Sequence, residues 1–271
     1  MMAKNWIYSL LVVALTGIAG TVIAQDSTAT AASLYNDGLA QLKAKGYLPA
    51  LTLFEKAIAA ADTTKEDEVK VVDLARRNGA IAAYYAGTQL RKEKKTADAS
   101  KRFEQGIAYD PDFYANYIGR AQVLEDQDKD GEAVKAYFEA IAVGERTNKA
   151  DKVADLSKKA ESIAGVAWGK KQWNNAIAAA NAYLEQKESG DVRYYLALSQ
   201  KEKKQYNEAI ENAKKALELA SAEDKDKSNF ALAEIYEAAG KKSDAIATYK
   251  LIKGAKYAER AKYKVTQLEK G

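Results

Sequence analysis

The side chains able to do chemistry in this 271-residue chain are carboxylates, amines, hydroxyls and 17 tyrosines; it has no histidine and no cysteine. Thiol nucleophiles, disulfides and thiolate or imidazole metal ligands are therefore excluded, along with the commonest general base at neutral pH. Neighbouring carboxylates occur at Glu66 and Asp67 and at Asp224 and Asp226. An acid–base pair needs a cleft to shift a pKa. These pairs lie in lysine-rich turns, where exposure to solvent explains them better, and they lack the spacing of a calcium-binding loop. No glycine-rich phosphate loop follows a strand, and no convincing strand is present. The expectation is a protein that is not an enzyme, with no catalytic residue, no metal and no cofactor.

The elements that must position the tyrosines are helices. The chain is 47% hydrophobic and 30% charged, with only two prolines, Pro49 and Pro111. Ala, Lys, Glu and Leu dominate, which favours helix. The 42 basic and 38 acidic residues are interleaved and leave a net charge of +4. That mixture suits a solvated helix surface rather than a nucleic-acid-binding stripe.

The first residues predict export. Lys4 supplies a positive start, Ile7 to Ala19 is uncharged and apolar, and Val22-Ile23-Ala24 offers a small-residue cleavage site before Gln25. Residues 1–24 are expected to be a signal peptide and 25–33 a short linker. No cysteine follows the cut, so the mature protein is not expected to be a lipoprotein. A periplasmic or secreted location follows, with no stable membrane span after cleavage; the alternative is an uncleaved N-terminal anchor.

One pattern then recurs six times. A small residue is followed twelve positions later by alanine: Gly38 and Ala50, Gly87 and Ala99, Ala121 and Ala133, Ala164 and Ala176, Ala197 and Ala209, Ala233 and Ala245. Four residues beyond each alanine stand Phe54, Phe103, Tyr137, Ala180, Ala213 and Tyr249. Steps of three and four keep residues on one helix face, and small residues let two helix axes approach while a large ring fills the gap. A polar turn such as KEKK separates the two small residues each time, so each unit reads as a helix, a turn and an antiparallel helix. Where Ala180 and Ala213 replace the ring, Trp173 and Tyr206 are expected to fill part of the space.

This spacing resembles that of the tetratricopeptide repeat family over about Leu34 to Ile252, and most closely in YANYIGRAQVLEDQDKDGEAVKAYFEAI. The resemblance implies an all-α fold: a right-handed superhelical solenoid of antiparallel helix pairs, about six repeats at 34–254, closed by a capping helix at 255–271. The family period is about 34 residues. The repeated alanines are instead 49 residues apart between Ala50 and Ala99 and 43 apart between Ala133 and Ala176. The extra residues, near 62–79 and 144–159, keep apolar side chains at helical spacing, and extended first helices are expected there.

In the family the first helices line a concave groove that binds peptides or partner helices. Carried onto this chain, the groove positions are Tyr35, Tyr84, Arg91, Ile118, Trp168, Tyr194 and Phe230. Aromatic rings give large contact area with little entropy lost, and charges set register. Two readings stay open for these rings, partner contact and packing between neighbouring units. The lysine and asparagine clamp that some members use on chaperone C-termini is absent. The expectation is a non-enzymatic protein–protein interaction scaffold or adaptor of the bacterial cell envelope, with a protein or peptide partner and no nucleic acid. The alternative is a carbohydrate-binding envelope module, since tyrosine-rich grooves also stack on sugars.

Overall fold

The computed structural model describes residues 29–270, so the expected signal peptide lies outside the described residues. Those residues form an all-helical chain whose helices pair in sequence order. The six antiparallel pairs are α1 (Ala31–Lys43) with α2 (Tyr47–Ala60), α3 (Glu66–Lys92) with α4 (Thr96–Tyr109), α5 (Tyr114–Asp126) with α6 (Asp130–Arg146), α7 (Ala150–Gly169) with α8 (Trp173–Leu184), α9 (Gly190–Glu202) with α10 (Tyr206–Leu219), and α11 (Lys225–Ala238) with α12 (Lys242–Lys250). A final helix, α13 (Ala255–Lys270), packs on α12 and α11 and buries Ala261. The chain is a helical solenoid.

The array begins inside the expected linker. Thr30 caps α1 by accepting a hydrogen bond from the Ser33 amide at 3.1 Å, which satisfies one orphan donor of the first turn. Much of the first inserted stretch is helical within α3, which runs from Glu66 with three acidic residues in its first turn. Acidic side chains there match the positive end of the helix dipole. The second inserted stretch divides: residues 144–146 end α6, a turn follows, and α7 starts at Ala150.

Each pair closes on the same backbone device. Lys45, Lys94, Asp128, Lys171 and Lys204 have φ between 56° and 62°, and Gly240 has φ of 73°. Each lies seven residues beyond the small residue of its first helix. The amide of the next residue donates to the carbonyl five positions back, as in Gly46 to Gln41 and Lys95 to Leu90, both at 2.9 Å. This left-handed closure satisfies carbonyls that the helix end would leave unpaired. Asn148, at φ 57°, repeats the device between α6 and α7, so this link between units is built like a turn within one.

The core follows the small-and-large rule. Phe54, Phe103, Tyr137 and Tyr249 are all at most 1% exposed. A Cβ added at Gly38 would lie 2.7 Å from Phe54 Cε1, and one at Gly87 would lie 2.8 Å from Phe103 Cε1. In the fourth unit, the fully buried ring is Tyr183, 5.4 Å from Phe138. Trp173 is only half-buried and pairs with Trp168 at 6.4 Å, because it starts α8 and stands beside the turn rather than over Ala180.

First helices touch first helices along most of the array: α1 with α3, α3 with α5, α7 with α9, and α9 with α11; α11 in turn touches the final helix α13. Second helices come together only where α6 meets α8, and there the backbones of α5 and α7 do not touch. Helices on the inside of a curved stack approach one another and those outside spread apart. The first helices therefore form the inner row from α1 to α5 and again from α7 to α11, and at the step between α5 and α7 the second helices α6 and α8 are the ones that approach.

Candidate functional site: the inner row of helices

The residues expected to line the groove fall into two groups. Tyr35 and Phe230 are buried, at 6% and 4% exposed. The Tyr35 ring lies 5.9 Å from Phe54, and its hydroxyl accepts from Asn78 Nδ2 at 3.2 Å. Phe230 meets Tyr249 edge-on at 5.4 Å under the Arg260 guanidinium, whose Cζ stands 4.5 Å from the ring centre. Both rings pack between helices, and neither offers a face to a ligand.

Tyr84, Arg91, Ile118, Trp168 and Tyr194 are half-buried. Ile118 packs on the core shared by the third and fourth units. Tyr84 meets Tyr85 edge-on at 5.2 Å and Phe113 at 6.0 Å. Tyr194 meets Tyr195 in the same way at 5.3 Å, and Trp168 stands 5.6 Å from Tyr195. Tyr85, 44% exposed, stacks on Tyr47 at 4.9 Å and 18° between planes. The second and fifth units thus carry the same tyrosine pair, each joined to a ring of the unit before. Tyr47, Tyr85, Tyr195 and Trp173 belong to these clusters but not to the expected groove positions. The repeated Tyr-Tyr dipeptides were the signal that could have found two of them.

Polar side chains link each first helix to the next, and the last of them to α13. Arg91 holds both oxygens of Asp126, with Nε at 2.5 Å and Nη2 at 3.1 Å, and donates Nη1 to Gln122 at 2.8 Å. Lys159 reaches back to Glu125 at 2.6 Å, Lys227 to Asp191 at 3.4 Å, and Lys264 to Glu237 at 3.0 Å. Arg260 stands 3.7 Å from Glu234. Partly exposed pairs of this kind are each worth about 0–1 kcal/mol, so they set the pattern of charge more than the stability. Between α1 and α3 the link is the neutral Asn78–Tyr35 bond. Between α7 and α9 a carboxylate is met without a cation: Ser189 Oγ donates to Glu161 Oε1 at 2.6 Å.

A cavity of about 290 Å³ opens between the start of α9, the end of α10 and the start of α11, lined by Ser189, Asp191, Tyr194, Asp224 and Lys227 among others, with Glu161 of α7 also in its wall. The Lys227 ammonium sits 4.6 Å from the centre of the Tyr194 ring. Burial pushes the Tyr194 hydroxyl up to about 12, helped by nearby Tyr257, Tyr195, Glu234 and Asp191, so it stays a neutral donor at neutral pH. Among the described residues, no group of three or more carboxylates is placed to hold a metal ion, and no helix is long and apolar enough to cross a membrane. Such a row can hold a chain through stacking and ion pairs.

The fold and the inner row define a class: an all-α helical-repeat solenoid with an aromatic and charged inner face. No family model and no curated protein matches the sequence. Among solved structures, the chain is similar to a chain of the APC/C hetero-tetramer Cut9-Hcn1, with 15% identity over 87% of this chain and 55% of that one, TM-score 0.36. It is also similar to the P58(IPK) TPR domain, with 19% identity over 89% and 64%, TM-score 0.38. TTC0263, a thermophilic TPR protein of Thermus thermophilus, gives 19% identity over 88% and 98%, TM-score 0.28. The chain spans less than two thirds of the first two structures it matches.

Proposed function

We propose that this chain is a non-catalytic protein–protein interaction scaffold or adaptor of the bacterial cell envelope, holding an extended peptide or a partner helix along its inner row. The observation that carries the reading is the repeated aromatic cluster, Tyr47–Tyr85–Tyr84 and Trp168–Tyr195–Tyr194, set among inter-unit ion pairs. Rings fixed by neighbouring rings contribute contact area without much further loss of entropy on binding. The export half of the reading rests on residues 1–24, with their basic start, apolar stretch and small-residue exit.

Crosslinking in the native cell tests the scaffold. A partner should be recovered with the wild type and with Lys214→Ala on an exposed part of α10. It should be lost with Tyr84→Ala combined with Tyr85→Ala. Recovery unaffected by the tyrosine pair would sink the reading, as would a glycan array in which soluble sugars bind through the same tyrosines. Mass measurement of the mature protein tests export: an N-terminus at Gln25 in an envelope fraction is expected, and an intact Met1 in the cytosol would overturn it.

A further inference from the structure

Two steps between first helices lack an ion pair: α1–α3, bridged by the neutral Asn78–Tyr35 bond, and α7–α9, where a carboxylate is met without a cation. Between α3 and α5, α5 and α7, α9 and α11, and α11 and α13, the carboxylates Asp126, Glu125, Asp191, Glu234 and Glu237 are each reached by a side-chain cation from the neighbouring first helix or from the final helix. Among the described residues Glu161 accepts from the Ser189 hydroxyl and acts on the Tyr183 hydroxyl, with no cation paired to it, and the cavity lies against it. Three carboxylates, Glu161, Asp191 and Asp224, line that cavity with a single cation, Lys227.

Lys227 itself shows what the walls accept. Its ammonium lies over the Tyr194 ring at 4.6 Å and within 3.4 Å of Asp191 and 3.8 Å of Asp224. A ring face with carboxylates beside it is the usual receptor for an ammonium or guanidinium group. The chain already places one such group here, from its own α11, and leaves open volume and the Glu161 charge beside it.

We infer that this cavity is a subsite for a basic side chain, lysine or arginine, of the bound partner, which completes the charge ladder at Glu161. The inference rests on the scaffold reading and narrows the partner to one presenting a cation between the starts of α9 and α11, beside Glu161 of α7. Lys227 acts as the resident competitor: it holds Tyr194 and Asp191 in place and lowers the affinity for an incoming cation.

The test uses the full-length protein and three tripeptides blocked at both ends: glycyl-lysyl-glycine, its arginine counterpart and its glutamate counterpart. The readout is amide chemical shifts at Ser189–Tyr194 and Asp224–Ser228. The two basic peptides should give saturable shifts there and the acidic one none. Glu161→Gln keeps shape and removes one charge, and should weaken binding about fivefold, whereas Lys227→Ala removes the competitor and should tighten it about threefold. Equal response to acidic and basic peptides, or unchanged affinity in a folded Glu161→Gln variant, would overturn the inference. If crosslinking depends on Tyr84 and Tyr85 while Glu161→Gln leaves peptide affinity unchanged, the subsite fails alone. If basic peptides bind at Glu161 but crosslinking ignores the tyrosines, the scaffold reading fails and the subsite stands.

Discussion

The Tyr137 hydroxyl donates to Glu125 Oε1 at 2.5 Å across a single helix pair, and Lys159 from the next unit closes on the other oxygen at 2.6 Å. The sixth unit repeats the arrangement: Tyr249 donates to Glu237 at 3.0 Å and Lys264 approaches it at 3.0 Å. One carboxylate thus links the large core ring of its own unit to a cation of its neighbour. Tyr137→Phe removes a hydrogen bond to a charged acceptor that Lys159 still holds. A loss of about 1.5–3 kcal/mol is expected in urea unfolding; a change below about 0.5 kcal/mol would show that the bond carries no net stability.

The same hydroxyls set an alkaline limit. Burial and the adjacent glutamate raise the Tyr137 and Tyr249 hydroxyls above their ordinary value near 10. Folding therefore favours their neutral forms, and this contribution is complete below about pH 10 and is lost as pH rises toward the folded-state value. Stability measured from pH 8 to 12 should fall above about pH 10, and the fall should be shallower in Tyr137→Phe with Tyr249→Phe. An identical slope in the double variant would assign the fall to other groups.

Glycine at the helix contact is a matter of space. Gly38→Ala would drive a methyl against Phe54, and Gly87→Ala one against Phe103. Each should cost about 1–3 kcal/mol through overpacking. Gly169→Ala, at the end of α7 with nothing within 4 Å of the added carbon, should be neutral or stabilising. Thermal melts of the three variants compare crowding with helix propensity, and equal shifts would contradict the packing account.

The turn lysines carry backbone strain. Lys94 and Lys204 hold φ of 60° and 61°, where a side chain costs about 1 kcal/mol relative to glycine. Lys94→Gly and Lys204→Gly should each raise stability by about 0.5–1 kcal/mol, a gain reduced by the greater freedom of glycine in the unfolded chain. A loss of stability in both would mean that the lysine side chains make contacts worth more than the strain.

The repeat was legible because it is local. Helices three and four residues in period put Gly38, Leu42, Ala50 and Phe54 on facing sides, and small residues at those places demand a large ring nearby. The aromatic residues of the first helices are local in the same way, but their burial is not. Tyr35 and Phe230 occupy the same place in their units as Tyr84 and Tyr194, yet they are buried while the latter are half open. Tyr35 meets Asn78 and Phe230 meets Arg260, 43 and 30 residues away along the chain, contacts that no local pattern connects to them.

Residue types and short spacings were enough for the helix pair, its repetition and the lack of thiol or imidazole chemistry, because each depends on identities and distances within one turn or one unit. Which carboxylate meets which cation, where second helices approach instead of first helices and why Glu161 stands apart emerged only from the packing of whole units. Those outcomes depend on how one unit rotates against the next. That rotation sums many weak contacts across the unit boundary, and between α6 and α7 one additional closed turn stands at that boundary.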